Sequence, residues 1–228
     1  DPINGLSFDQ NNTAEQPQFE ANGFGGHPEI QFSGSQVLEG GDVLDLNSNS
    51  HSFFVVARSS GDGQAIFSKA IFAGQQSRYA LWYSGGESQF LYHDNVNRTV
   101  AYDTISTSNE FFQAHIDRSL DSLSFSVSDW LPSPNIILKN NHNMDSPFRF
   151  LIGAYNNSND DGEILHLDGS ISEIIMTSTV DSQKVEDMRN YIKYKYMPKL
   201  DLGRNIAPYS YSDTTIYAGS EYKDSLWS

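Results

Sequence analysis

Tyr79, Trp82, Tyr83, Phe90, Tyr92 and His93 crowd two successive runs, "RYALWYS" and "QFLYHD", joined by "SGGES". Flat ring faces next to amide and carboxylate groups are what a pyranose requires, since its CH groups pack on the ring while its hydroxyls need polar partners. The pattern predicts a carbohydrate-binding platform of Tyr79, Trp82, Tyr92 and His93, with Asp94 and Asn95 at its end and Tyr155 beside the next acidic loop. Alternation puts Tyr79, Leu81 and Tyr83 on one strand face and Ala80 and Trp82 on the other. One of those faces must be core, and each ring also suits core filling.

A second cluster is rich in oxygen ligands. In "NNSNDDGEILHLD", residues 156–168, Asn157, Asn159, Asp161 and Gly162 follow the N-x-N-x-D-G opening of a calcium loop, and Asp168 falls at its twelfth position. Asn157, Asn159, Asp161, Glu163 and Asp168 are therefore the candidate ligands of a Ca²⁺ ion. The match departs from the motif in three ways: Asn replaces the first Asp, the last acid is the shorter Asp, and residues 164–168 read as strand. The alternative is an acidic hairpin tip pointing into water. "HDNVNRTVAYD", with Asp94, Asn95, Asn97 and Asp103, is a lesser oxygen cluster that reads first as a turn.

Catalytic templates are absent from the sequence. It has no G-x-S-x-G, no H-E-x-x-H and no cysteine, and His27, His51, His93, His115, His142 and His166 show no ligand spacing. Formal net charge is −15, from 29 acidic and 14 basic residues. Such a surface repels phosphate backbones and anionic lipid, so nucleic acid is excluded as a partner, and no apolar run supports membrane insertion. Divalent cations suit the charge, which also serves solubility alone. Without cysteine, the redox compartment cannot be read.

These residues must be positioned by strands. Short alternating runs rich in aromatic and β-branched residues recur about every ten residues: 29–33, 52–59, 64–72, 78–84, 89–94, 99–104, 111–119, 122–129, 135–140, 148–155 and 170–178. Polar and Gly-rich links such as "SGDGQ" and "SGGES" separate them, which argues an antiparallel sandwich or barrel. One amphipathic helix follows. Asp181 is its N-cap, Val180 and Val185 form a hydrophobic staple, and Val185, Met188, Ile192 and Tyr196 make one apolar stripe before Pro198. The expectation is a helix across an open sheet edge or over the sandwich mouth.

Two stretches carry a family resemblance. "FLIGAYNNSNDDGEILHLDGSISEIIMTSTVDSQKVEDMRNYIKYKY" resembles the C-terminal end of laminin-G-like domains of the concanavalin A-like lectin/glucanase superfamily in bacterial surface proteins, with an IGA strand, a variable loop, an L-x-G-x-I-x-E-I-I strand and a short helix. "QPQFEANGFGGHPEIQFSGSQVLEGGDVLDLNSNSHSFFVVAR" is similar to the same family's N-G-x-x-G-x-P segment and its aromatic strand. The resemblance covers residues 17–196. It implies an all-β jelly-roll sandwich of two curved antiparallel sheets with one C-terminal helix. It also implies calcium in end loops, as sandwich lectins hold it. The family's opening L-W-L-x-A-D strand is not matched, and the E-x-D-x-x-E triplet of the glucanase branch is missing.

The expected organisation is a sandwich over residues 1–198, lacking its first strand, then a linker and the start of a following immunoglobulin- or PKD-like module over 199–228. The latter stretch, "LDLGRNIAPYSYSDTTIYAGSEYKDSLWS", resembles repeats of Bacteroidetes surface proteins. The expected function is a non-catalytic carbohydrate-binding or adhesion module of an extracellular or cell-surface multidomain protein, with a glycan or polysaccharide and the adjacent domains of its chain as partners. The alternatives are a structural spacer without ligand and a domain of a polysaccharide hydrolase or lyase.

Overall fold

A computed structural model describes residues 5–46, 48–71, 79–93, 98–104, 110–117, 119–127, 136–137, 145–178 and 180–196. The strands are β1 (Gln18–Glu20), β2 (Glu29–Ser33), β3 (Leu38–Glu39), β4 (His51–Ser59), β5 (Gln64–Lys69), β6 (Tyr79–Ser84), β7 (Glu87–His93), β8 (Arg98–Thr104), β9 (Glu110–Asp117), β10 (Ser122–Val127), β11 (Ile136–Ile137), β12 (Leu151–Ile152), β13 (Tyr155–Asn156), β14 (Glu163–Ile164) and β15 (Asp168–Thr177). A single α-helix among the described residues, α1, spans Ser182–Tyr196.

The strands form two packed sheets. One runs β1-β2-β15-β4-β9-β10-β11, the other β3-β12-β5-β6-β7-β8, and β13 pairs with β14 as a separate hairpin. All of these pairings are antiparallel. The core lies between the sheets, where Phe53, Val55, Phe112 and Phe125 of the first meet Phe67, Tyr79, Leu81 and Phe90 of the second. Rings at these positions pack edge-on or offset, with Phe53 5.2 Å from Phe90 and Phe112 6.4 Å from Phe125.

The predicted runs overlap the strands, but 135–140 is described only at 136–137, and 148–155 is split into β12 and β13 by Gly153. Its φ of +84° is a conformation L side chains rarely adopt, and a Cβ there would stand 2.3 Å from the Phe32 ring. Gly169 answers a different constraint: the neighbouring strand passes so close that a Cβ would meet the Arg58 carbonyl oxygen at 2.1 Å. These two glycines are the "IGA" and "LDG" of the sequence pattern, and both mark close approach.

The helix starts as the sequence predicts. Asp181 accepts the Lys184 backbone N–H at 3.0 Å, and the Val185 N–H bonds the Asp181 carbonyl. Its position differs from expectation. It lies neither on an edge nor over the mouth but on the outer face of the seven-stranded sheet, where Val185, Ile192 and Tyr196 cover Phe54, Val56 and Phe111. The reason is visible in "SFFVVA", which is apolar on both faces: one face feeds the interior, and the other needs a cover.

One edge is incomplete. β15 pairs with β4 from Gly169 to Thr177 but with β2 only from Asp168 to Ile171. Residues 172–177 are half-buried, while their partners on β4 are buried. Two apolar hollows of about 310 and 390 Å³ open beside this segment and share Ile152 and Ile174.

Candidate functional site

The structure does not bring the predicted aromatic platform to the surface. Tyr79 and Tyr92 face each other across β6 and β7 on the interior side and are fully buried. Tyr79 donates its hydroxyl to the Leu44 carbonyl at 2.6 Å, and burial, reinforced by the Asp45 charge, pushes its ionisation well above the ordinary tyrosine value. Trp82 and His93 do point to the outer face, yet they are buried too. Trp82 meets Tyr155 edge-to-face at 5.9 Å, because the β13–β14 hairpin lies over this side of the sheet. Tyr79, Trp82, Tyr92, His93 and Tyr155 are thus packing residues, while Asp94 and Asn95 lie outside the described residues.

The predicted calcium loop is organised around an arginine. Arg149 donates to Glu39 and to Glu163 at 2.9 Å each and reaches Asp160 at 3.4 Å. Its cation stands where a metal would have to sit between these acids. Asn157 is spent locally: its amide donates to Asp161 at 2.7 Å, and its carbonyl oxygen accepts the backbone N–H groups of Asn159 and Asp161. Asp168 lies apart at the start of β15, bonded by the Ser60 hydroxyl at 2.7 Å. Asn157, Asn159, Asp161, Glu163 and Asp168 therefore do not converge on one point and do not fit a Ca²⁺ site. Among the described residues no group of three or more acidic or histidine side chains is placed to hold a metal.

A second internal cation closes one end of the sandwich. Lys69 is wholly buried, and its ammonium reaches Asp42 at 2.8 Å, the Val43 carbonyl at 2.7 Å and Asp45 at 3.2 Å. The 42–45 loop is thus pinned from inside, with Tyr79 holding the next carbonyl.

The exposed chemistry lies on α1 and the adjacent strand. Tyr191 and Tyr194 are 44% and 69% exposed. One helical turn apart, their rings are neighbours on the helix surface. Tyr191 is held in place: its hydroxyl donates to Glu173 of β15 at 2.9 Å, and Lys195 donates to both the Tyr191 oxygen at 2.9 Å and Glu173 at 3.1 Å. The Lys195 ammonium also stands 5.2 Å and 5.1 Å from the Tyr191 and Tyr196 ring centres. Burial pulls the Lys195 ionisation down, but its hydrogen bonds to Tyr191 and Glu173 and the Glu173 charge outweigh this and keep it above the ordinary lysine value. Burial and the Glu173 charge push Tyr196 up to about 12. Sequence reasoning missed this surface. The signal was present, because Tyr191 and Tyr194 fall off the apolar stripe of 185, 188, 192 and 196.

No protein-family model matches the chain, and no curated protein sequence does. Solved structures do. The mouse laminin alpha1 chain, domains LG4-5, superposes with a TM-score of 0.52 at 16% identity over 78% of this chain and 47% of that one. NanB sialidase from Streptococcus pneumoniae matches with a TM-score of 0.53 at 13% identity over 69% of this chain and 26% of that one. The CBM40 of Ruminococcus gnavus IT-sialidase, bound to α2,6-sialyllactose, matches with a TM-score of 0.52 at 10% identity over 69% of this chain and 95% of that one. The fold is a concanavalin A-like jelly roll. At these identities the likeness is one of fold, and the jelly roll spans about half of the laminin chain and a quarter of the sialidase. Among the described residues the aromatics of β6 and β7 are buried, while Tyr191 and Tyr194 of α1 and Phe19 of β1 are exposed.

Proposed function

We propose that the chain is a non-catalytic carbohydrate-binding or adhesion module of an extracellular multidomain protein, and that α1 presents its binding surface. The observation that carries the reading is the exposed Tyr191–Tyr194 pair, whose first ring is locked by Glu173 and Lys195. A ring held before the ligand arrives loses little rotamer freedom on binding, and sugar CH groups pack on it while the carboxylate and ammonium beside it meet hydroxyls. The shared fold with a sialyllactose-bound CBM40 supports the reading.

A non-catalytic role is also supported by the state of four glutamates. Glycoside hydrolysis needs two carboxyl groups facing one bond, one acting as acid and the other as nucleophile or base. Here Glu29 is paired with Arg58, Glu39 and Glu163 with Arg149, and Glu173 with Lys195. Each is committed to a cation. Among the described residues no helix is long and apolar enough to cross a membrane. A glycan array with the full chain and with Tyr191→Ala/Tyr194→Ala tests the proposal: the wild type binds a defined glycan class and the double variant loses it. Binding to no glycan, or equal binding by both proteins, overturns it.

A further inference from the structure

Beside the apolar patch under α1, the outer face of the seven-stranded sheet carries a polar strip: Ser52 on β4, Gln113 and His115 on β9, and Ser124 and Ser126 on β10. Register brings these together, for Ser52 and Ser124 flank His115, and Ser126 stands opposite Gln113. Directly opposed residues of an antiparallel pair have Cβ atoms about 4.5–5.5 Å apart. Gln113 and Ser126 are only 2% and 1% exposed. Yet Gln113 Nε2, His115 Nε2 and Ser126 Oγ are buried without a hydrogen-bond partner. Buried polar groups are satisfied almost everywhere in native proteins, so three orphans on neighbouring positions of one face ask for an occupant.

A one-way donor fixes the chemistry of one orphan, and the other two can donate beside it. Arg189 of α1 donates Nε–H to Gln113 Oε1 at 2.7 Å. A guanidinium only donates, so the amide orientation is set and Gln113 offers its NH2 group. His115 Nδ1 lies 2.8 Å from Ser52 Oγ. The Ser52 hydroxyl can donate or accept there, and a site for an acceptor takes the tautomer in which it donates and His115 Nε2 bears the proton. Ser126 has a hydroxyl to donate, and Arg189 adds a permanent positive charge, of which Glu186 engages one N–H at 3.2 Å. The set is donors plus a cation, so its complement is an anion that only accepts.

We propose that Gln113, His115, Ser126 and Arg189 form a binding site for a carboxylate group, either a free small acid or the carboxylate of an acidic sugar. A carboxylate has about four lone-pair sites, and the Gln113 amide, the His115 N–H, the Ser126 hydroxyl and a remaining Arg189 N–H supply four donors. Its planar pair of oxygens also suits a guanidinium edge. Glu186, at the rim, is the resident competitor. Burial and the Arg189 charge keep His115 neutral, with its ionisation lowered to about 4. The charged groups facing it are Arg189 and Glu186 from α1 and Asp117 from its own strand, while β4 and β10 present serines. A bound anion adds a negative charge to this set and raises the His115 value.

The site does not depend on the Tyr191–Tyr194 surface. The test is an imidazole ¹H–¹⁵N titration of the full chain, with the His115 signals assigned by His115→Asn and acetate, D-glucuronate and D-glucose as probes. Acetate and glucuronate shift His115 Nε2 saturably and raise its pKa by a unit or more, and glucose does neither. Glucuronate binding several-fold tighter than acetate identifies an acidic sugar, and equal binding a free acid. Arg189→Met weakens the response at least tenfold, Glu186→Gln strengthens it a few-fold because an exposed ion pair no longer competes, and Tyr191→Ala/Tyr194→Ala leaves it unchanged. A His115 Nε2 signal that contacts only bound water and ignores both acids, or an acid response unaltered by both Arg189→Met and Glu186→Gln, overturns the proposal.

Discussion

His115 should make the fold acid-sensitive above the range in which carboxylates titrate. Its ionisation is lowered from 6.5 to about 4, first by burial and then by the Arg189 charge. A histidine depressed in this way is neutral when folded and protonates more readily when unfolded. Its contribution to stability is therefore whole above about pH 6.5 and is lost as the pH falls towards 4. A gap of about 2.5 pH units corresponds to roughly 3 kcal/mol of unfolding free energy between pH 7.5 and 4. Urea unfolding of the wild type and His115→Asn at both pH values isolates this amount, because the ion-paired acids titrate in both proteins. The variant starts lower by about 1–2 kcal/mol, having lost the ring edge that packs on Phe54 at 5.6 Å. It should then lose about 3 kcal/mol less than the wild type on acidification. An identical pH dependence in the two proteins would refute the reasoning.

Gly153→Ala forces a Cβ into the Phe32 ring at a φ of +84° and should cost about 3 kcal/mol in a urea titration. Lys69→Met leaves Asp42 and Asp45 around an empty interior position and should cost about 3 kcal/mol, the low end for a broken buried pair because both acids reach solvent; Lys69→Met/Asp45→Asn should recover part of it. Because Arg149 already engages Asp160 and Glu163 of the hairpin, millimolar calcium should leave the Tm unchanged, and a rise of several degrees on adding it would reveal a cation site.

Much of the fold was legible because antiparallel strands write their period into the sequence, and because Gly153 and Gly169 stand where no side chain fits. The end of β15 and the Asp181 cap were legible for the same local reasons. The direction of each aromatic was not. Alternation separates two faces, but β6 is covered on both, by the core under Tyr79 and by the β13–β14 hairpin over Trp82, so neither face announced itself as outside. The acidic loop misled for a related reason. Its oxygens are close in sequence, whereas the Arg149 guanidinium that binds them also reaches Glu39, more than a hundred residues away. Tyr191 and Tyr194 were readable as rings off the apolar stripe. Their fixation by Glu173 was not, since it depends on α1 lying over β15 rather than over the mouth.

The central claim is that α1 is a glycan-binding surface, and the most direct measurement is the affinity of the full chain for its best array glycan before and after Tyr191→Ala/Tyr194→Ala. The account predicts a loss of at least tenfold in a double variant that stays folded, with its Tm lowered only modestly by the lost Tyr191 bonds to Glu173 and Lys195. An unchanged affinity in a folded double variant would contradict it.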